Sequence, residues 1–382
     1  MRAAWASLVP WLLLLGSSLV SGAVIDAPDD CQMTGAGGDK VSLVCRLRTI
    51  NSELDTTNFS VIPARVTISL QVECSDVLFF QSALRNKSFI QLTRLRQLKI
   101  EYCKIGEVPR DAFVGLSNLQ NLTLKTYNTD WSAMTLAIAK DAFSHQHLLE
   151  YLDLGDNNIW TLPPKLFCDL GNLTMLNLSR NKLQDINDLS FSHAVSKCAP
   201  RLRQLDLSFN HFNAIPAFAF AALKNLTSLN ISLNGIQDLA DQALFGMYSL
   251  EVLDISGNLL STLPPELFKE NKRLTKLYAR NNSITVLAPG LFTGLYMLLE
   301  LNLADNGLTN TWVNSETFMD LLRLASLDLS HNKISRLDAA TFRDLTNLQV
   351  NIFFLYKSIV YIFLIMIILI HIVINLQTIC NY

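Results

Sequence analysis

The sequence lacks a bias of charge. Its 31 lysines and arginines stand against 33 aspartates and glutamates, a formal net charge of -2, which leaves no basic footprint for nucleic acid. Short motifs that carry common chemistries are missing as well. There is no phosphate-cradling glycine loop and no Cys-x-x-Cys pair, and the histidines do not cluster with the cysteines. His145 and His147 precede a strand, and His211 and His331 adjoin recurring asparagines. None has a serine, cysteine or paired carboxylate at a recognisable motif spacing. These absences exclude a nucleic-acid partner, a cofactor and a metal site, and point to a protein that binds rather than catalyses.

Half of the residues are hydrophobic, and the excess sits largely at the two ends. At the N-terminus, Arg2 precedes an apolar stretch from Leu8 through Leu15 and small residues from Val20 to Ala23, the build of a secretory signal peptide over 1–22. Pro10 interrupts the run, which is short for a membrane span. A secreted body meets an oxidising compartment, and its cysteines are even in number: Cys31, Cys45, Cys74, Cys103, Cys168 and Cys198. Spacing alone leaves their connectivity open.

Between the ends one phrase recurs, LxxLxLxxNxL, as in LEYLDLGDNNIWTLPPKLFCDL at 149–170 and LEVLDISGNLLSTLPPELF at 250–268. Its asparagine slot holds Asn157, Asn181, Asn210, Asn234, Asn258, Asn282, Asn306 and Asn332, with Cys103 and Asn128 in the earlier copies. Most steps are 24 residues, the period of leucine-rich repeats. The expected fold is α/β: a curved leucine-rich repeat solenoid whose short strands stack into one parallel concave sheet, with an N-terminal disulfide cap. The asparagines turn inward to pair backbone groups that would each cost about 1–3 kcal/mol if buried unpaired. Phe113, Phe143, Phe167, Phe191, Phe220, Phe245, Phe268, Phe292, Phe318 and Phe342 recur once per copy and are expected to form an aromatic spine.

The expected layout is a signal peptide over 1–22, a cap over 23–91, about ten repeats over 92–350 and a hydrophobic tail over 351–382. In the cap, VTISLQV at 66–72 reads as the strand that starts the sheet. The preferred staples are Cys31 with Cys45 and Cys74 with Cys103, while Cys168 and Cys198 flank a long repeat and would pin its extra loop. A second excursion at 126–148 has no such pin and reads as a bulge, either a contact loop or an exposed structural loop.

Glycosylation sequons occur at Asn58, Asn86, Asn121, Asn172, Asn177, Asn225, Asn230 and Asn281. Asn177 and Asn230 take the outward slot between inward strand residues, so glycans there would mask the middle of the concave face. Asp153, Asp206, Asp254 and Asp328 hold that slot in other copies, an acidic column that either meets a basic ligand or is simply solvated.

The phrases CRLRTINSELDTTNFSVI, VECSD, LRQLKIEYCKIGEVPRDAF and LQNLTLKTYNTDWSAM closely resemble the N-terminal ectodomain of insect Toll receptors, the branch around Tollo and 18-wheeler. RNNSITVLAPGLF and LASLDLSHNKISRLDAATF resemble later repeats of the same proteins, and the resemblance spans about 30–349. It implies a receptor ectodomain at the extracellular side of the plasma membrane, or secreted. Its partners would be a protein ligand, cystine-knot and neurotrophin-like or a cell-surface protein, and a receptor dimer partner, in innate immunity or development. The alternative is a truncated, non-signalling decoy or adhesion protein, because no TIR sequence follows LTNLQV. The tail has two readings. Its apolar run from Ile359 to Ile370 approaches the length of a membrane helix. The break just after a repeat begins at Leu348, and the placement of Lys357 on the outward side, favour read-through into non-coding sequence. No residue can be assigned to ligand contact from the sequence alone.

Overall fold

The computed structural model describes residues 29–37, 40–52, 56–77, 80–128, 134–192 and 198–349. The signal peptide and the tail read from the sequence lie outside the described residues. Strands of three residues with the burial pattern outward, inward, outward recur from Tyr151–Asp153 to Ser326–Asp328. In each, a central leucine such as Leu152, Leu176, Leu205 or Leu229 is buried. Alternation along a strand leaves the first and third residues on the concave side. All pair in parallel and in register, Leu152 opposite Leu176 and Leu253 opposite Leu277, within one 13-stranded sheet.

The sheet begins earlier than expected. Before VTISLQV comes an antiparallel hairpin, Cys31–Gly37 with Lys40–Leu47, and Lys40–Leu47 then pairs in parallel with Thr67–Cys74. The hairpin supplies the terminal edge that a bare first repeat would expose. The sheet is continuous across residue 91, because Thr67–Cys74 pairs directly with Gln97–Glu101. Disulfides join Cys31 to Cys45, Cys74 to Cys103 and Cys168 to Cys198. The helical part of the fold is small: among the described residues it comprises 3-10 turns at Phe59–Val61, Ile186–Leu189 and Ala339–Phe342.

The aromatic spine is present with one correction and an extension. Phe113 stacks on Phe143 at 5.9 Å, Phe268 on Phe292 at 6.2 Å and Phe292 on Phe318 at 6.4 Å. Phe89 and Phe59 continue it upstream. Phe245 is not in it. In that copy Leu244, six positions before Leu250, the buried leucine that precedes the strand Val252–Asp254, fills the buried slot, and Phe245 packs edge-on against Phe218 at 5.2 Å. The excursion at 126–148 is also more regular than a bulge. Ala137–Ile138 pairs with Glu107–Val108, Leu136 and Phe143 are buried, and only 129–133 lies outside the described residues.

Each inward asparagine closes a turn and clamps its neighbours. Asn258 accepts from the Ile236 and Asn234 amides, both at 3.2 Å, and donates to the Ile231 and Ile255 carbonyls at 3.1 and 2.9 Å. Asn181, Asn210, Asn234, Asn282, Asn306 and Asn332 repeat this pattern. Asn157 accepts from Thr126 and donates to Leu124. Asn258→Leu therefore strands two amides and two carbonyls, and Asn258→Asp keeps the shape but loses both donors. Both are expected to destabilise the surrounding repeats by about 3 kcal/mol. Hydrogen exchange of the Ile236 amide reads this locally; unchanged protection would refute the clamp.

Candidate binding surface

The outward residues of the strands form two columns. The third-position column, read from the sequence as an acidic stripe, has a local task. The Asp153 side chain accepts from the Gly155 amide, Asp206 from Ser208, Asp254 from Ser256 and Asp328 from Ser330, each at 2.9 Å. Asn177 does the same with Ser179, Asn230 with Ser232 and Asn302 with Ala304. Each oxygen bonds the amide two residues on, the Asx turn, and fixes where the chain leaves the strand. The column therefore has a structural task besides any part it plays at the surface. Tyr278 stands in the slot in one copy and bonds Glu300 of the next strand instead.

The first-position column runs through Tyr151, Met175, Gln204, Ser228, Val252 and Lys276 to Glu300. It is uncharged from Tyr151 to Val252 and charged at Lys276 and Glu300, and other charged residues flank it toward the cap. Toward the cap, the Lys125 ammonium sits 3.2 Å from Asp153 and 3.5 Å from Asp156. Tyr151 Oη donates to Asp153 at 3.2 Å, and Asn177 Nδ2 donates to the other Asp153 oxygen at 2.9 Å. Burial alone would lower the Lys125 pKa, but the two aspartates outweigh it and hold the ammonium above its usual range. Burial, then the charge of Glu101, pushes the nearby Tyr127 hydroxyl up to about 12. At the far end Lys276 reaches Glu300 at 2.7 Å.

A further feature lies where the chain leaves each strand. The residue just before the inward asparagine is left-handed in copy after copy: Asp156, Arg180, Phe209, Leu233, Asn281, Asp305 and His331 have φ from 54° to 58°. Only Gly257 is a glycine there. Arg180 lies over the Phe209 ring at 4.1 Å, on the rim of a hollow of about 330 Å³ that also includes Tyr127, Asp156 and His211.

Of the sequon asparagines, Asn121, Asn177 and Asn230 stand on concave strands. Asn172 and Asn225 lie where the chain enters a strand and donate to His147 and Pro200 carbonyls. Asn281 lies on the exit side, Asn58 caps the first 3-10 turn, and Asn86 is exposed near the cap. Lys104 was not legible as a site. Cys103 occupies an asparagine slot and is tied to Cys74, and the buried Lys104 ammonium beside it donates to the Thr126 and Tyr127 carbonyls and to Asp76.

The sequence pattern of the leucine rich repeat matches residues 134–195, 200–260, 224–284, 249–308 and 311–350, more than half of the chain. The chain belongs to the leucine-rich repeat family. Within this family its likeness to Toll receptors holds beyond the repeat consensus. It is 44% identical over 303 residues to Toll-like receptor 7 of Drosophila melanogaster, covering 78% of this chain and 21% of that one. To Toll-like receptor 3 of Boselaphus tragocamelus it is 32% identical over 204 residues, 52% of this chain and 22% of that one. The chain thus spans about a fifth of the length of these relatives. Among solved structures, the Toll–Spatzle complex of Drosophila aligns with a TM-score of 0.58 at 20% identity, over 88% of this chain and 53% of that one, a likeness of fold. Along the strands, the third position closes the turn in most copies, and the first position points outward beside it.

The Lys276, Tyr278 and Glu300 cluster gives this face a pH dependence. Hydrogen bonds from Lys276, then Tyr278, hold the Glu300 carboxyl below its usual range. A depressed carboxylate contributes stability above its unfolded pKa and loses it as pH falls through the folded value. The stability difference between the wild type and Glu300→Gln should therefore be largest at neutral pH and shrink as the pH falls below the usual glutamate range of about 4. Thermal melts across that range test it, and a gap independent of pH would rule the contact out.

Proposed function

We propose that this chain is the ligand-binding part of a Toll-type receptor ectodomain, working outside the cell, anchored or secreted, by binding rather than catalysis. The observation that carries the reading is the 303-residue similarity to a Toll-like receptor, which is too long to be repeat consensus alone. The ligand is a protein of the cystine-knot, neurotrophin-like kind or another cell-surface protein, supported by the fold likeness to Toll bound to Spatzle. The eight sequons carry N-glycans, and those on Asn121, Asn177 and Asn230 crowd the upstream and middle concave face. Beyond Asn230 the concave strands carry no sequon, so the ligand seats on the column through Val252 and Lys276.

The test is label-free binding of a candidate cystine-knot protein to the secreted chain. Val252→Arg, which changes an outward side chain of the first column, should weaken binding at least ~10-fold while leaving the melting temperature in place. Asp254→Ala, which removes an Asx turn, should lower the melting temperature instead. Equal binding by wild type and Val252→Arg would move the ligand off this face.

A further inference from the structure

On the side where the chain enters each strand, the two residues before the first buried leucine stack at equivalent places. The register is visible in the asparagines there: Asn172 donates to the His147 carbonyl at 2.8 Å and Asn347 to Leu322 at 2.6 Å, each one repeat back. Downstream of Asn225 this flank carries no sequon, since Asn281 lies on the opposite side of the strands. Its successive rungs are Tyr248, then Lys272 with Arg273, then Tyr296 with Met297, then Arg323. Tyr248 is 46% and Tyr296 55% exposed, large values for aromatic side chains.

The cations converge on the aromatic rung from both sides. Lys272 Nζ reaches forward to the Thr293 carbonyl at 3.1 Å. It lies across Gly294, at φ +82°, where a β-carbon would stand 2.7 Å from Nζ. Arg323 reaches back to the Met297 sulfur at 3.1 Å. Among the described residues no carboxylate ion-pairs with Lys272, Arg273 or Arg323, and nearby Glu266 is taken by Lys269 at 2.6 Å. Three cations without acidic partners, alternating with exposed rings, are complementary to an extended polyanion that also offers flat faces.

We propose that this flank, from Tyr248 to Arg323, is a docking strip for a sulfated polysaccharide chain. Lys272, Arg273 and Arg323 take the sulfate groups, Arg as a fork matched to paired oxygens, and the two tyrosines take the apolar faces of sugar rings. Single-stranded nucleic acid fits less well. Tyr248 and Tyr296 are two repeats apart, about 10 Å at the usual strand spacing, with a basic rung between them, so successive bases would find no continuous stack.

Binding of a heparin-derived dodecasaccharide to the full chain, at about 0.15 M salt, tests the strip. The triple variant Lys272→Glu, Arg273→Glu, Arg323→Glu should bind at least ~10-fold more weakly and Tyr296→Ala ~3-fold more weakly. A charge-matched triple variant at exposed positions elsewhere, Lys40→Glu, Lys140→Glu, Lys333→Glu, should keep wild-type affinity, which separates the strip from net charge. Desulfated dodecasaccharide should lose most of the binding. The proposal is overturned if the strip variant binds as well as wild type, if the charge-matched variant loses as much, or if a single-stranded RNA oligomer of the same charge binds as tightly as the saccharide.

Discussion

Everything in this molecule depends on one small amide. A chain that turns out of a strand once per repeat leaves an amide and two carbonyls inside the stack, where water cannot reach them. The asparagine side chain carries one acceptor and two donor hydrogens on a single carbon stem, and in Asn210 all are used: Leu183 donates to its oxygen, while Leu178 and Leu207 carbonyls accept from its nitrogen. Because one of those carbonyls belongs to the previous copy, the same group that closes a turn also sets the distance to the next. The parallel sheet and the aromatic stack follow from repeating that spacing.

Much of this was legible in the sequence because it is written once per period. The inward asparagines, the strand leucines and most of the phenylalanine column are fixed by recurrence and chemistry alone. What was missed shows where recurrence stops helping. Phe245 was taken for spine because hydrophobicity cannot separate it from its neighbour Leu244; only counting back from Leu250 puts Leu244 in the slot. The turn-closing task of the aspartate column was not visible because sequence shows the carboxylate and not the amide two residues on that it bonds. Lys104 carries no signal in the sequence, because its burial depends on carbonyls at Thr126 and Tyr127 that are remote along the chain.

The strands therefore divide their duties along a few ångströms of backbone. Inward residues make the core, third-position residues shape the exit, and first-position residues face outward without a turn to close, although Tyr151, Lys276 and Glu300 bond their neighbours. Substitutions among the uncharged members of this last group, Gln204, Ser228 and Val252, touch none of the turn bonds, and variation at such positions is how one architecture serves receptors with unlike ligands. The left-handed residues before the asparagines add a further row whose side chains vary from Asp156 through Arg180 and Phe209 to His331 on nearly constant geometry.

The covalent bonds are unevenly distributed. All three disulfides fall between Cys31 and Cys198, whereas the stacked copies from there to Leu345 are held by neighbour contacts alone. In a structure whose rungs touch only those beside them, strength is a sum of local couplings, so the molecule is a braced half joined to an unbraced one. Opening a gap between two downstream rungs breaks only the contacts of neighbours, whereas opening one between the stapled rungs must also work against a covalent tether.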